Sequence, residues 1–255
     1  MNLVCDLDGV VYRGEELIPG SDAALQTAAE AGLRLWFVTN NSTRTPIEVR
    51  DKIRRVTGYQ PSEEQIVTSS QAAASMVSGE EGPAYVLGSA AIDQALAEVG
   101  IQTTSDPKEA RTVLVGMDRA LTYERLAGAV SAVRLGARFI ATNDDPTFPV
   151  EDGFEPGSGA MVAAVSVASG FRPEIAGKPH RPMQELLSSR VAGPAWVIGD
   201  RIDTDIALAA GRTDWRSIVV LTGVTTSDDE VDAADHVALD LAGAVDLVLD
   251  QRSRR

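Results

Sequence analysis

The chain is poor in several residue types, and each shortage narrows what it can do. Cys5 is the single cysteine among 255 residues. That excludes an internal disulfide and argues against a structural zinc site, which draws on several Cys or His ligands. With no histidine close by in sequence, Cys5 reads as a small core side chain rather than a nucleophile. The only histidines are His180 and His236. A Ser-His-Asp relay would depend on one of them finding a partner the sequence does not suggest, so both read as surface or capping residues. Lysine is nearly as scarce, three against twenty arginines. Together they number 23 against 37 Asp plus Glu, a formal charge of -14, which disfavours non-specific attraction to nucleic acid or an anionic membrane. Long apolar runs are missing too: the most apolar later stretch, residues 160–168, falls well short of the ~20 residues a membrane helix needs. No basic-then-apolar leader precedes the first apolar run. The expected setting is a reducing cytoplasm, with neither nucleic acid nor membrane as partner.

With 44% hydrophobic residues the chain can bury a real core. Short β-rich runs at 3–5, 34–38, 85–87, 112–115, 138–141, 195–198 and 217–221 alternate with helical stretches at 21–31, 46–57, 90–99, 123–135, 160–169, 181–190 and 204–210. This alternation predicts an α/β fold with a parallel sheet covered by helices. Ser21 is the expected N-cap of the first helix, and Gly32, Gly100, Gly136, Gly170 and Gly211 are placed as left-handed C-caps. "PGSGAM" lacks the third glycine of a dinucleotide turn and reads as a helix start. The acidic run at 227–235 lacks the Gly and closing Glu of a calcium loop and reads as a solvated helix start. The last five residues read as a frayed tail.

Four clusters fall at predicted strand ends, where ligands of open parallel sheets bind. "DLDGV" sets Asp6 and Asp8 one residue apart after the first strand; taken alone, such aspartates also suit a plain turn. "TNNSTR", from Thr39, offers hydroxyl and amide donors for a phosphate, or a capping loop for the following helix. In "AGKPHRP", Lys178 stands between Gly177 and Pro179, a point charge suited to phosphate or an ordinary surface lysine. "GDRIDTD" carries Asp200, Asp203 and Asp205, three carboxylates that repel unless a cation offsets them.

In this order the four motifs resemble those of the haloacid dehalogenase-like phosphohydrolases. With "TNNSTRTP", "ATNDDPTFP" and "PGSGAM" the chain is similar to the NagD-like or 4-nitrophenylphosphatase-like branch over nearly its whole length. The resemblance implies a Rossmann-like three-layer catalytic core, residues 1–70 and 174–255, with an α/β cap inserted at 71–173. It implies a Mg²⁺-dependent phosphatase acting on small phosphorylated metabolites, glycerol 3-phosphate being favoured, through an aspartyl-phosphate. Asp6 is then the nucleophile and Asp8 the acid and base. Asp6, the Asp8 backbone carbonyl and Asp200 hold the metal. Thr39, Asn40, Asn41 and Lys178 bind the phosphoryl group, Asp205 (rather than Asp203) orients Lys178 or a metal-bound water, and Asn143, Asp145 and Phe148 of the cap loop 143–153 meet the leaving group. A cap-mediated homodimer is a further expectation. The alternatives are a phosphomutase and a non-catalytic phosphate-ligand protein of the same fold. A dehalogenase needs neither an acid at Asp8 nor a metal ligand at Asp200.

Overall fold

The computed structural model describes residues 1–150, 153–227, 229 and 231–253. In chain order the strands are β1 (Asn2–Cys5), β2 (Tyr12–Arg13), β3 (Glu16–Leu17), β4 (Arg34–Thr39), β5 (Ile66–Thr68), β6 (Ala84–Leu87), β7 (Thr112–Val115), β8 (Arg138–Ala141), β9 (Thr147–Val150), β10 (Gly153–Pro156), β11 (Glu174–Ile175), β12 (Ala195–Gly199), β13 (Trp215–Val220) and β14 (His236–Ala238). The helices are α1 (Ser21–Glu30), α2 (Pro46–Thr57), α3 (Ser69–Ser75), α4 (Ala90–Glu98), α5 (Tyr123–Arg134), α6 (Ser158–Ser169), α7 (Arg181–Arg190), α8 (Ala207–Ala209) and α9 (Leu241–Ser253). The fold is α/β, with parallel sheets flanked by helices, as the alternation predicts.

The chain divides into two compact units. The first comprises Met1–Thr39, Pro46–Val67 and Leu187–Arg255. Its sheet has the order β14-β13-β12-β1-β4-β5. All four residues of β1 are buried, because a central parallel strand is covered on both faces and so needs no polar alternation. β1 runs parallel to β12 and to β4, with Cys5 opposite Ile198 on one side and Phe37 on the other. Leu25 and Ala28 of α1 and Leu241, Ala244, Val245 and Val248 of α9 join Leu3, Cys5 and Phe37 in one apolar core. Burying each such large side chain contributes about 1.5–3 kcal/mol.

The second unit comprises Asn40–Thr45 and Thr68–Leu186. It holds a four-stranded parallel sheet, β11-β8-β7-β6, and the antiparallel hairpin β9–β10. Val113, Val115, Phe139 and Ala141 pack there against Ala129, Ala132 and Val133 of α5 and Val162 and Val165 of α6.

Several local expectations are corrected. Gly20, at φ 85°, takes the N-cap of α1, while Ser21 is the first helical residue and donates its hydroxyl to the Val11 carbonyl at 2.7 Å. The helix expected over 204–210 is a π-helical turn, Ile202–Ile206, followed by the short α8; single π turns are frequent at functional sites. Among the described residues of 227–235 there is no helix. Asp229 accepts from the Thr226 amide and hydroxyl, and Asp235 from Ser217, local bonds that compete with helix formation. Asp228 and Glu230 of that run lie outside the described residues. Of the expected tail, residues 251–253 are the end of α9, with Arg252 donating to the Ala31 carbonyl at 2.6 Å, and Arg254 and Arg255 lie outside the described residues. The expected helix start in "PGSGAM" is present at Ser158, and the five glycines placed as C-caps all have positive φ. No helix among the described residues is long and apolar enough to cross a membrane.

Candidate active site

β1 delivers Asp6 and Asp8 to the carboxyl edge of the first unit's sheet, and the neighbouring β12 delivers Asp200 to the same edge. The Asp6 amide donates to the Ile198 carbonyl at 2.9 Å, which continues the β1–β12 register to the first carboxylate. The π turn then brings in Asp205, whose Oδ2 accepts from the Arg201 amide at 3.1 Å. Asp6, Asp200 and Asp205 each present a carboxylate oxygen within 4.8 Å of the others, and all three residues are buried. Like charges so close together and so little solvated favour a bound cation. An all-oxygen donor set suits a hard divalent ion, so these residues fit the metal that the resemblance implies.

Two glycines make room for this cluster. Gly9 has φ +88°, and a Cβ on it would lie 2.5 Å from Asp200 Oδ2; a Cβ on Gly223 would lie 1.9 Å from the same oxygen. Backbone therefore packs directly on the Asp200 carboxylate where a side chain would collide. The Val224 amide donates to Asp200 Oδ2 at 2.6 Å and the Thr225 amide to its carbonyl at 3.0 Å. Asp203 is not part of the cluster. Its carboxylate is mostly exposed and pairs with Arg201, whose hydrogen bond holds the Asp203 carboxyl below its ordinary value. Thr39 is buried at the end of β4.

In the second unit the amide of Asn40 is a junction. Its Nδ2 donates to Asp145 Oδ2 at 3.1 Å and to the Lys178 carbonyl at 3.2 Å, while its Oδ1 accepts from the Lys178 amide at 2.8 Å. Asn143 Nδ2 donates to the Asn40 carbonyl at 2.6 Å, as does the Ser69 hydroxyl. The structure thus brings Asn40 together with three residues that the sequence places over a hundred positions away: Asn143, Asp145 and Lys178. Lys178 is buried. Asn41 Oδ1 accepts from the Thr43 amide and hydroxyl at 2.8 and 2.7 Å, so its oxygen closes a local turn. Phe148 belongs to the β9–β10 hairpin and lies under the Arg119 guanidinium at 5.7 Å; Glu151 and Asp152 of the loop 143–153 lie outside the described residues. His180 sits 3.6 Å from Asp144, and His236 packs on Trp196. Cys5 is buried in the core.

Sequence reasoning overlooked Ser69, Gly223 and Val224. Of these only Gly223 left a sequence signal, a glycine just after a predicted strand.

A family model described as haloacid dehalogenase-like hydrolase matches residues 3–102, and a second, HAD-hydrolase-like, matches 175–244. The chain is 38% identical to an acid sugar phosphatase of Staphylococcus haemolyticus, over 88% of this chain and 86% of that one. It is 37% identical to the 5'-nucleotidase YutF of Bacillus subtilis, over 89% of each. The structure of the glycerol phosphate phosphatase Rv1692 of Mycobacterium tuberculosis in complex with magnesium superposes with a TM-score of 0.85 at 34% identity, over 95% of this chain and 75% of that one.

Proposed function

This chain belongs to the haloacid dehalogenase-like hydrolase family, and from that premise we propose that it is a Mg²⁺-dependent phosphatase of small phosphomonoesters working through an aspartyl-phosphate on Asp6. The observation that carries the reading is the buried trio Asp6, Asp200 and Asp205, with Asp8 two residues beyond the first. Asp6, Asp200 and the Asp8 backbone carbonyl would hold Mg²⁺, which when bound neutralises charge on the phosphoryl oxygens. An Asp6 carboxylate oxygen attacks phosphorus as the bond to the ester oxygen breaks, and the Asp8 carboxyl passes its proton to that oxygen, releasing the alcohol. Asp8, now ionised, takes a proton from the water that attacks the aspartyl-phosphate, which frees inorganic phosphate and restores Asp6. Thr39 donates to the phosphoryl group and Lys178 neutralises it. Asn40 acts by fixing the Lys178 backbone, and Asp205 orients the metal-side groups. Residues 71–173 act as the cap, with Asn143 and Asp145 near the leaving group. Glycerol 3-phosphate heads the substrate panel, because one of the similar structures is a glycerol phosphate phosphatase.

The test is phosphate release from alkyl, sugar and nucleoside monophosphates with Mg²⁺ or with EDTA. Release that needs the metal, and falls more than about 10³-fold in Asp6→Asn, is the expected result. Full turnover by Asp6→Asn, or turnover indifferent to EDTA, would sink the mechanism; silence across the panel would favour a phosphate-ligand binding role.

A further inference from the structure

We propose that Thr222 is a positioning residue for the acid Asp8, a role that rests on the phosphatase reading above. Asp8 is followed by Gly9, the residue type with the freest backbone, held here at φ +88°. An acid that must face one ester oxygen cannot hang on an unrestrained glycine. Both peptide planes flanking Gly9 are fixed. The amide on the Asp8 side donates to the Tyr12 carbonyl at 2.8 Å. The carbonyl on the other side accepts from Thr222 Oγ1 at 2.6 Å.

Thr222 is itself secured, because Arg13 Nη2 donates to its carbonyl at 2.7 Å. Two residues further on, the Val224 amide reaches Asp200 Oδ2 at 2.6 Å. The short segment after β13 therefore grips the turn behind Asp8 with one residue and a cluster carboxylate with another. Thr222 sets the direction of the proton donor relative to Asp200 without touching substrate.

This role has a chemical signature that general loosening lacks. In the first step the Asp6–phosphorus bond forms, the phosphorus–ester oxygen bond breaks with its electron pair going to oxygen, and the Asp8 proton neutralises that oxygen. An alkoxide leaving group needs the proton; a nitrophenolate, stabilised by its ring, hardly does. The experiment measures kcat/KM, which reports this step, for glycerol 3-phosphate and for 4-nitrophenyl phosphate in wild type, Thr222→Val and Thr222→Ser.

Loss of the hydroxyl should cost about 10- to 100-fold on the alkyl ester and less than about threefold on the aryl ester. Thr222→Ser, which keeps the donor, should restore the alkyl activity. Equal losses on both esters, or none on either, would overturn the positioning role while leaving the phosphatase reading intact. A wild type inactive on both esters and on the wider panel would overturn both. Should Thr222→Val fail to fold, Arg13→Ala, which removes the bond to the Thr222 carbonyl, should show the same leaving-group bias at smaller size, and absence of that bias would also refute the role.

Discussion

At the scale of single residues, Asp6 and Asp200, both in the buried cluster, were legible because a carboxylate at the end of an apolar run is an unusual expense, and the first and fourth motifs each show it. What Asn40 does was not legible. A side-chain amide next to a predicted strand end suits a phosphate, yet its donors and acceptor are occupied by Asp145 and the Lys178 backbone, partners that only the fold brings near. Asn40→Asp tests this directly. The substitution keeps the acceptor for the Lys178 amide, loses both donated bonds and sets a carboxylate against Asp145. Denaturant unfolding should show a loss of about 1–3 kcal/mol; an unchanged midpoint would mean the junction contributes nothing to stability.

At the scale of elements, the longer strands and helices were readable from their apolar periodicity. The short ones were not: β5, β11 and β14 span three, two and three residues, too few to display alternation. α3, with the sequence SSQAAAS, has no apolar stripe; its signal is the capping box in which Thr68 and Gln71 bond reciprocally. β11 is joined to β8 by only two residue pairs and draws further support from charge. Arg138 on β8 donates from Nε and Nη2 to both Glu174 oxygens, at 2.7 and 2.8 Å, and from Nη1 to Glu80 at 2.6 Å. That fork holds the Glu174 carboxyl below its ordinary value of 4.5. Because the folded-state value is the lower one, the stabilisation is present above the ordinary range and is lost as pH falls through the folded value. Glu174 is about half exposed, so screening limits the gain to under about 1 kcal/mol. Melting curves of wild type and Glu174→Gln should therefore differ near neutrality and converge in acid; a gap that persists in acid would point to packing rather than charge.

At the scale of the whole molecule, the sequence revealed the order of the four motifs and the acidic balance of the chain, while the carboxylate cluster's depth became visible only with the fold. Three buried carboxylates so close together repel one another, so a cation bound among them should raise native-state stability. Titrating Mg²⁺ into EDTA-treated protein should raise the melting temperature, by the equivalent of about 2.7 kcal/mol once the ion is at a hundred times its dissociation constant. Asp200→Asn should reduce that rise sharply, and an identical shift in the variant would place the ion elsewhere. The central position of β1 also has a consequence for synthesis. One of the two neighbours of β1, β12, pairs Val197 with Val4 and leaves the ribosome about 10–40 s after β1 at ordinary elongation rates. Throughout that interval the strand that leads to Asp6 has one edge without its native neighbour, open to wrong pairing, and the Asp200 carboxylate does not yet exist. The period when the growing chain most needs shielding by a chaperone is thus fixed by the number of codons separating the two strands.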